Sequence, residues 1–208
     1  MKSALSPYIG VALVTLVMLA GPLISASPRA AESDTTTMEL VGAVLNTGPS
    51  SAQYGYISFI NGIPRIFTQG PQNETTALLT FYNDTTTLRV VNNGPLRVVN
   101  RDGTMTIYLN EKPRGDFGNP ASFREGTPVM TATLRHQVIL DTVTSQFTTV
   151  FVNTIKSSLK FALDGRQYEL GKSGQTFQTT VSGRPSTSGP GQFVIAGYAT
   201  GIDGRSSP

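Results

Sequence analysis

The chain carries a single histidine, His136, inside its longest clean alternation of apolar and polar residues, "VMTATLRHQVILD". Strict alternation marks a β-strand with two unlike faces. His136 shares its face with Met130, Ala132, Leu134, Val138 and Leu140, so its imidazole is expected to point inward. An unperturbed pKa of about 6.5 suits a general acid or base; the same ring can instead be a hydrogen-bonded core residue. A catalytic triad would need a serine and a carboxylate converging on His136, and the chain has no G-x-S-x-G elbow.

Arg89, Asn100 and Asn153 are expected on inward strand faces. With Tyr82 and His136 they are candidates for the few polar groups that orient a ligand in an otherwise apolar pocket. The carboxylates Glu111, Asp116 and Glu125 fall together in the Pro- and Gly-rich stretch 111–128. That stretch reads as a long loop with a helical turn at Pro120–Arg124, placed as a lid or rim, its charges solvated. With no cysteine and one histidine, only oxygen ligands could hold a metal. "NRDGTM" and "LDGRQ" lack the spacing of a calcium loop and read as Asp-Gly turns. No metal and no cofactor is expected.

The elements that must position these groups are strands. The 208 residues hold 21 glycines and 13 prolines, and only 14% are charged, a composition of short strands joined by turns. Sixteen basic and thirteen acidic residues are spread without blocks, which argues against a nucleic-acid partner. Strands are expected at Met38–Leu45, Tyr54–Ile60, Ala77–Asp84, Val129–Asp141 and 146–155, then at "QYELG", "QTFQTTVSG" and "QFVIAGYATG". In 146–155, Phe147, Thr149, Phe151, Asn153 and Ile155 share one face.

Between Asp84 and Asn110 the near-duplicate "LRVVNNGPLRVVNRDG" is read as neighbouring strands, not a repeat unit. Asn93-Gly94 and Asp102-Gly103 both suit two-residue hairpin turns. They imply a meander of Thr86–Asn92, Pro95–Arg101 and Thr104–Asn110, the second turn being the better defined. In that register Val91, Leu96, Val98, Met105, Ile107 and Leu109 share one face, while Arg97 and Arg101 lie on the other.

About ten short strands and no confident helix in the body of the chain indicate an all-β fold. The expected architecture is an antiparallel up-and-down β-barrel of about eight strands, with a β-sandwich as the alternative. The C-terminal stretch "GRPSTSGPGQFVIAGYATG" resembles the end of the dirigent proteins, where Gly-Arg precedes a loop and a G-x-G-x-F-x-x-A-x-G-Y-A last strand. Gly183, Arg184, Gly189, Gly191, Phe193, Gly197, Tyr198 and Ala199 carry the resemblance, although Ala196 directly precedes Gly197 where the pattern has an intervening residue. Dirigent proteins share a barrel with the allene oxide cyclases. The resemblance implies a barrel that holds a small apolar ligand and steers coupling or cyclisation without a cofactor. It carries over no acidic catalytic position.

At the N-terminus, Lys2, the apolar run Ile9–Ala20 and the small residues after Gly21-Pro22 read as a signal peptide, residues 1–26, cleaved after Ala26. A flexible segment 27–37, a barrel domain 38–200 and a loose tail 201–208 complete the expected organisation. The expected product is secreted, extracellular or periplasmic, with no stable membrane anchor after cleavage. Its expected role is to bind a small apolar ligand, as a cofactor-free cyclase or isomerase or as a dirigent-like guide. Two alternatives stand beside it: a non-enzymatic exported structural or partner-binding module, which could form a homo-oligomer, and a hydrolase using His136.

Overall fold

The structure, a computed structural model, describes residues 38–186, 192–201 and 204–206; the expected signal peptide and the segment 27–37 lie outside them. The strands are β1 (Met38–Thr47), β2 (Ser50–Ile60), β3 (Leu79–Asn93), β4 (Leu96–Leu109), β5 (Thr127–Asp141) and β6 (Phe147–Ser158). They continue with β7 (Phe161–Leu163), β8 (Arg166–Leu170), β9 (Thr176–Pro185), β10 (Gln192–Thr200) and β11 (Gly204–Ser206). Alternating strands must cover their apolar face, and here the sheet does so by closing on itself, which also removes its edges. Eight strands form a closed antiparallel barrel in the order β1-β10-β9-β6-β5-β4-β3-β2. The barrel expected from the sequence is therefore present. Strands β7, β8 and β11 form a separate three-stranded sheet, so part of the stretch expected as a loose tail pairs with β8.

The two ends of the barrel are built differently. At one end, the floor, strands are joined by the long connections 61–78, 110–126 and 159–175. These connections add Ile63, Ile66, Phe67, Phe161, Tyr168 and Leu170 to the core begun by Met38, Ile57, Leu79, Ile107, Met130 and Ile155. At the other end, the mouth, β1 and β2 are joined through Gly48, and β3 and β4 through Gly94-Pro95. Inward glycines allow the tight curvature: a side chain on Gly42 or Gly55 would strike the Phe81 ring, which occupies the space they leave.

Two expectations are corrected here. Asp102-Gly103 is not a turn; β4 runs straight through it, and Gly103 pairs with Thr85 on one side and Leu134 on the other. A Cβ on Gly103 would sit 2.0 Å from the Asp84 carbonyl oxygen, so the glycine serves a close approach of strands and not a reversal. The three-strand meander is thus two long strands, and the single turn falls at Gly94-Pro95, with Asn93 opposite Leu96. The stretch 111–128 is not a lid. It lies at the floor end, and its 3-10 turn Pro120–Arg124 packs on the outside of β2 and β3. Phe123 is fully buried there against Tyr54 and Phe117, with ring centroids 5.4 and 5.0 Å away, and the Thr80 hydroxyl donates to its carbonyl at 2.8 Å.

Candidate functional site

Alternation along the mouth halves of β4, β5 and β6 places Val99 and Arg101, His136 and Val138, and Thr149 and Phe151 in the lumen. Antiparallel register then aligns Thr87, Arg101, His136, Phe151 and Thr179 as successive neighbours across five strands. Facing side chains on adjacent strands are within contact reach, so one polar row crosses an otherwise aliphatic and aromatic wall. A cavity of about 70 Å³ opens beside this row. Val44, Val138, Phe147, Val181, Phe193 and Ile195 supply its apolar lining, while Asn46, Gln53, Arg101, His136 and Thr149 supply the polar groups. Phe147 and Phe193 meet edge to face at 5.4 Å between centroids at its outer rim.

Arg101 is half-buried, and every partner it has is neutral. Its Nε donates to Thr87 Oγ1 at 3.1 Å and its Nη2 to Asn46 Oδ1 at 3.2 Å. Its Nη1 lies 3.5 Å from His136 Nε2. Arginine has no acceptor, so Nε2 must present its lone pair and Nδ1 must carry the proton. His136 is only 4% exposed, its ring stands edge-on to Phe151 at 4.7 Å, and Nδ1 has no hydrogen-bond partner. Burial and then the neighbouring Arg101 charge push its pKa down to about 3. Burial also lowers the pKa of Arg101.

Deeper in the lumen, Asn83 and Asn153 flank a space of about 10 Å³, the size of one water. Asn153 Nδ2 donates to Phe177 O at 3.5 Å and to Thr179 Oγ1 at 3.3 Å. The side-chain oxygens of Asn83, Asn153 and Gln53 have no protein partner. The Gln53 amide nitrogen is held by Ser51 and by Thr85.

Of the five side chains expected to act on a ligand, His136 and Asn153 are in the lumen, at 4% and 1% exposure. The other three are elsewhere. Tyr82 faces outward on β3, stacked on Tyr54 at 6.2 Å, with the Arg124 guanidinium 4.5 Å above its ring. Arg89 is exposed beyond a bulge between Thr87 and Arg89 that turns the β3 tip out of the barrel register. Asn100 lies on the outer face beside Gln137, whose amide donates to it at 3.4 Å. Conversely, Arg97 and Arg101, both expected on the outer face, alternate to the inner one, Arg101 in the lumen and Arg97 exposed at the strand tip, because β4 does not reverse at Gly103. Reading Leu109, Ile107, Met105, Gly103, Arg101 and Val99 as one unbroken alternation would have found Arg101.

No serine or carboxylate hydrogen-bonds to His136 among the described residues, and none of them form a group of three or more potential metal ligands. A larger concavity of about 900 Å³ lies outside the barrel against the 62–72 connection. It is broad and open, and its charged groups, Arg65 and Asp164, already pair with each other at 3.1 Å. The lumen is therefore the better candidate, as it alone joins enclosure to unpartnered polar atoms. Compared with family models, with curated proteins and with solved structures, the chain matches none.

Proposed function

We propose that this is an exported barrel that takes an apolar small molecule into its mouth, binding it without covalent chemistry. The observation that carries this reading is the cavity beside the Thr87–Arg101–His136–Phe151 row, apolar on most of its wall. At about 70 Å³ it is far smaller than the roughly 300 Å³ or more that encloses a drug-sized ligand. The site therefore takes the end of a molecule, with the remainder lying past Phe147 and Phe193 toward solvent. What is retained of the dirigent-like expectation is a lumen that positions a ligand without a cofactor. Hydrolysis through His136 is not favoured, since a neutral imidazole with a pKa near 3 and no partner acid is a weak base at neutral pH. The apolar run near the N-terminus supports export.

Because His136 is the only histidine, its imidazole resonances are a unique reporter of the lumen. Titrating the protein with octan-1-ol should move them saturably. Binding elsewhere, or none, leaves them in place and removes the reading.

A second reading, docking of a protein partner, draws on the projecting end of β3, β4 and β5. There Val91, Leu96 and Ile139 lie outward, each 42–48% exposed. Val91→Ser/Ile139→Ser should abolish any self-association seen by sedimentation; an unchanged sedimentation coefficient counts against it.

A further inference from the structure

We infer that the ligand's inserted end is a carboxylate, received by Arg101, so that the molecule bound is an apolar monoacid entering head first. This rests on the reading of the lumen as a binding site. Its warrant is the charge of the lumen itself. The cavity lining holds one charged side chain, Arg101, and no carboxylate; Arg97, two residues nearer the β4 tip on the same alternation, is exposed and donates to Asn92 Oδ1 at 2.9 Å. Its acidic neighbours in sequence and space, Asp102 on β4 and Asp84 on β3, alternate to the outer face. Arg65–Asp164 is the one ion pair among the described residues.

A guanidinium taken from water without a counter-charge is costly, and proteins seldom leave one so unless something pairs with it in use. Nor does the arrangement saturate it. Five N–H groups are available on an arginine. Thr87, Asn46 and His136 engage at most three of them, leaving two for an incoming oxyanion.

The neighbour at 3.5 Å also discriminates. Had the residue at 136 been a carboxylate, the charge would be cancelled and an anion repelled. A neutral imidazole that accepts from Nη1 orients the guanidinium and leaves its charge free. Space selects the head: about 70 Å³ admits a planar carboxylate and a few methylenes. The two remaining N–H groups match one carboxylate's two oxygens, whereas a phosphate brings a third oxygen and further charge with no second cation in the cavity lining to meet them. The aliphatic and aromatic wall between Arg101 and the Phe147–Phe193 rim is suited to the first methylenes of a chain.

The test compares octanoate, octan-1-ol, octyl phosphate and octylammonium on the full chain, with affinity from calorimetry and location from the His136 imidazole resonances. Octanoate should bind about tenfold to a hundredfold tighter than octan-1-ol, and octylammonium should not bind. Arg101→Gln should erase the octanoate advantage while leaving octan-1-ol within about threefold. Equal affinity of acid and alcohol, both moving His136, overturns the carboxylate and leaves an apolar binding site standing. Octyl phosphate binding more tightly than octanoate also overturns it, in favour of a phosphate head. If no probe moves His136, both readings fall. Should Arg101→Gln not fold, the acid-to-alcohol ratio in the unaltered protein decides alone, and raising pH through the acid's own pKa should strengthen only octanoate.

Discussion

The floor and the mouth of this barrel use the same eight strands for opposite ends. At the floor, side chains such as Leu79, Ile107 and Leu170 are fully buried and three long connections pack over them. At the mouth the described turns are short, the apolar residues Leu140, Phe147 and Phe193 are only half-buried, and a polar row with an unpartnered atom, His136 Nδ1, crosses the lumen. Close packing adds stability only where no polar group is left unsatisfied. The floor comes closer to that condition, with Asn110 Nδ2 its unpartnered buried atom, and the mouth gives it up around Arg101 and His136. Departures from good core design concentrated at one end are what a binding site placed on a rigid support looks like.

The sharpest way to break this comparison is truncation at both ends. Leu79→Ala removes a fully buried side chain with little room to relax, and should cost about 3–5 kcal/mol. Leu140→Ala, on the same lumen face at the mouth, should cost about 1 kcal/mol or less, since much of its surface is already wet. Urea denaturation at neutral pH measures both. Equal costs would mean that the mouth is core after all.

Acid provides a second contrast, confined to the mouth. His136 has a folded pKa near 3 against 6.5 unfolded, so between those values the unfolded chain binds a proton that the folded one does not. Stability therefore falls as pH drops from about 6.5 toward 3, by up to about 1.4 kcal/mol per pH unit. The full contribution is present above the unfolded value. His136→Gln keeps a polar side chain without titrating, and should make stability less pH-dependent by a few kcal/mol across that window. Parallel profiles of the two proteins, measured by urea midpoints from pH 4 to 7, would show that His136 is not sequestered.

How much of this could be read beforehand follows from where local signals agree. From Ala132 to Leu140 in β5 and from Phe147 to Ile155 in β6 the alternation is unbroken, so the residues alone place His136, Phe151 and Asn153 in the lumen. The turn at Asp164-Gly165 was equally legible: both residues have positive φ, 50° and 73°, and Asn, Asp and Gly tolerate that region best. In β3 and β4 two signals conflict. Asp102-Gly103 carries the letters of a hairpin turn, but its glycine answers to the neighbouring strand's backbone, a tertiary demand that no local window contains. That misreading sent Arg101 outward. The bulge after Thr87 has the opposite consequence for Arg89, expected inward and found outside, since one extra residue reverses every facing beyond it. The stretch 111–128 was legible as a loop with a short helical turn, but the surface it covers is set by Phe123 finding Tyr54, far away in sequence.

Arg101 and Arg89 supply the finest test of the comparison. Arg101→Met replaces the guanidinium with an apolar chain that fills much of the same space. Removing a desolvated charge that has no carboxylate partner should leave stability unchanged or raise it by about 1 kcal/mol, even as acid binding is lost. A loss of 2 kcal/mol or more, about the sum of two ordinary hydrogen bonds, would make Arg101 a strut holding Asn46 and Thr87, and the mouth a structural device. Arg89 has the same chemistry and sits two residues beyond Thr87 on the strand that pairs with β4, yet it faces solvent past the bulge. Arg89→Ala should change stability by less than about 0.5 kcal/mol and acid affinity by less than about twofold. Only the lumen position couples charge to binding, so any comparable loss of octanoate affinity in Arg89→Ala would point to general attraction of anions by a basic rim and away from a seat at Arg101.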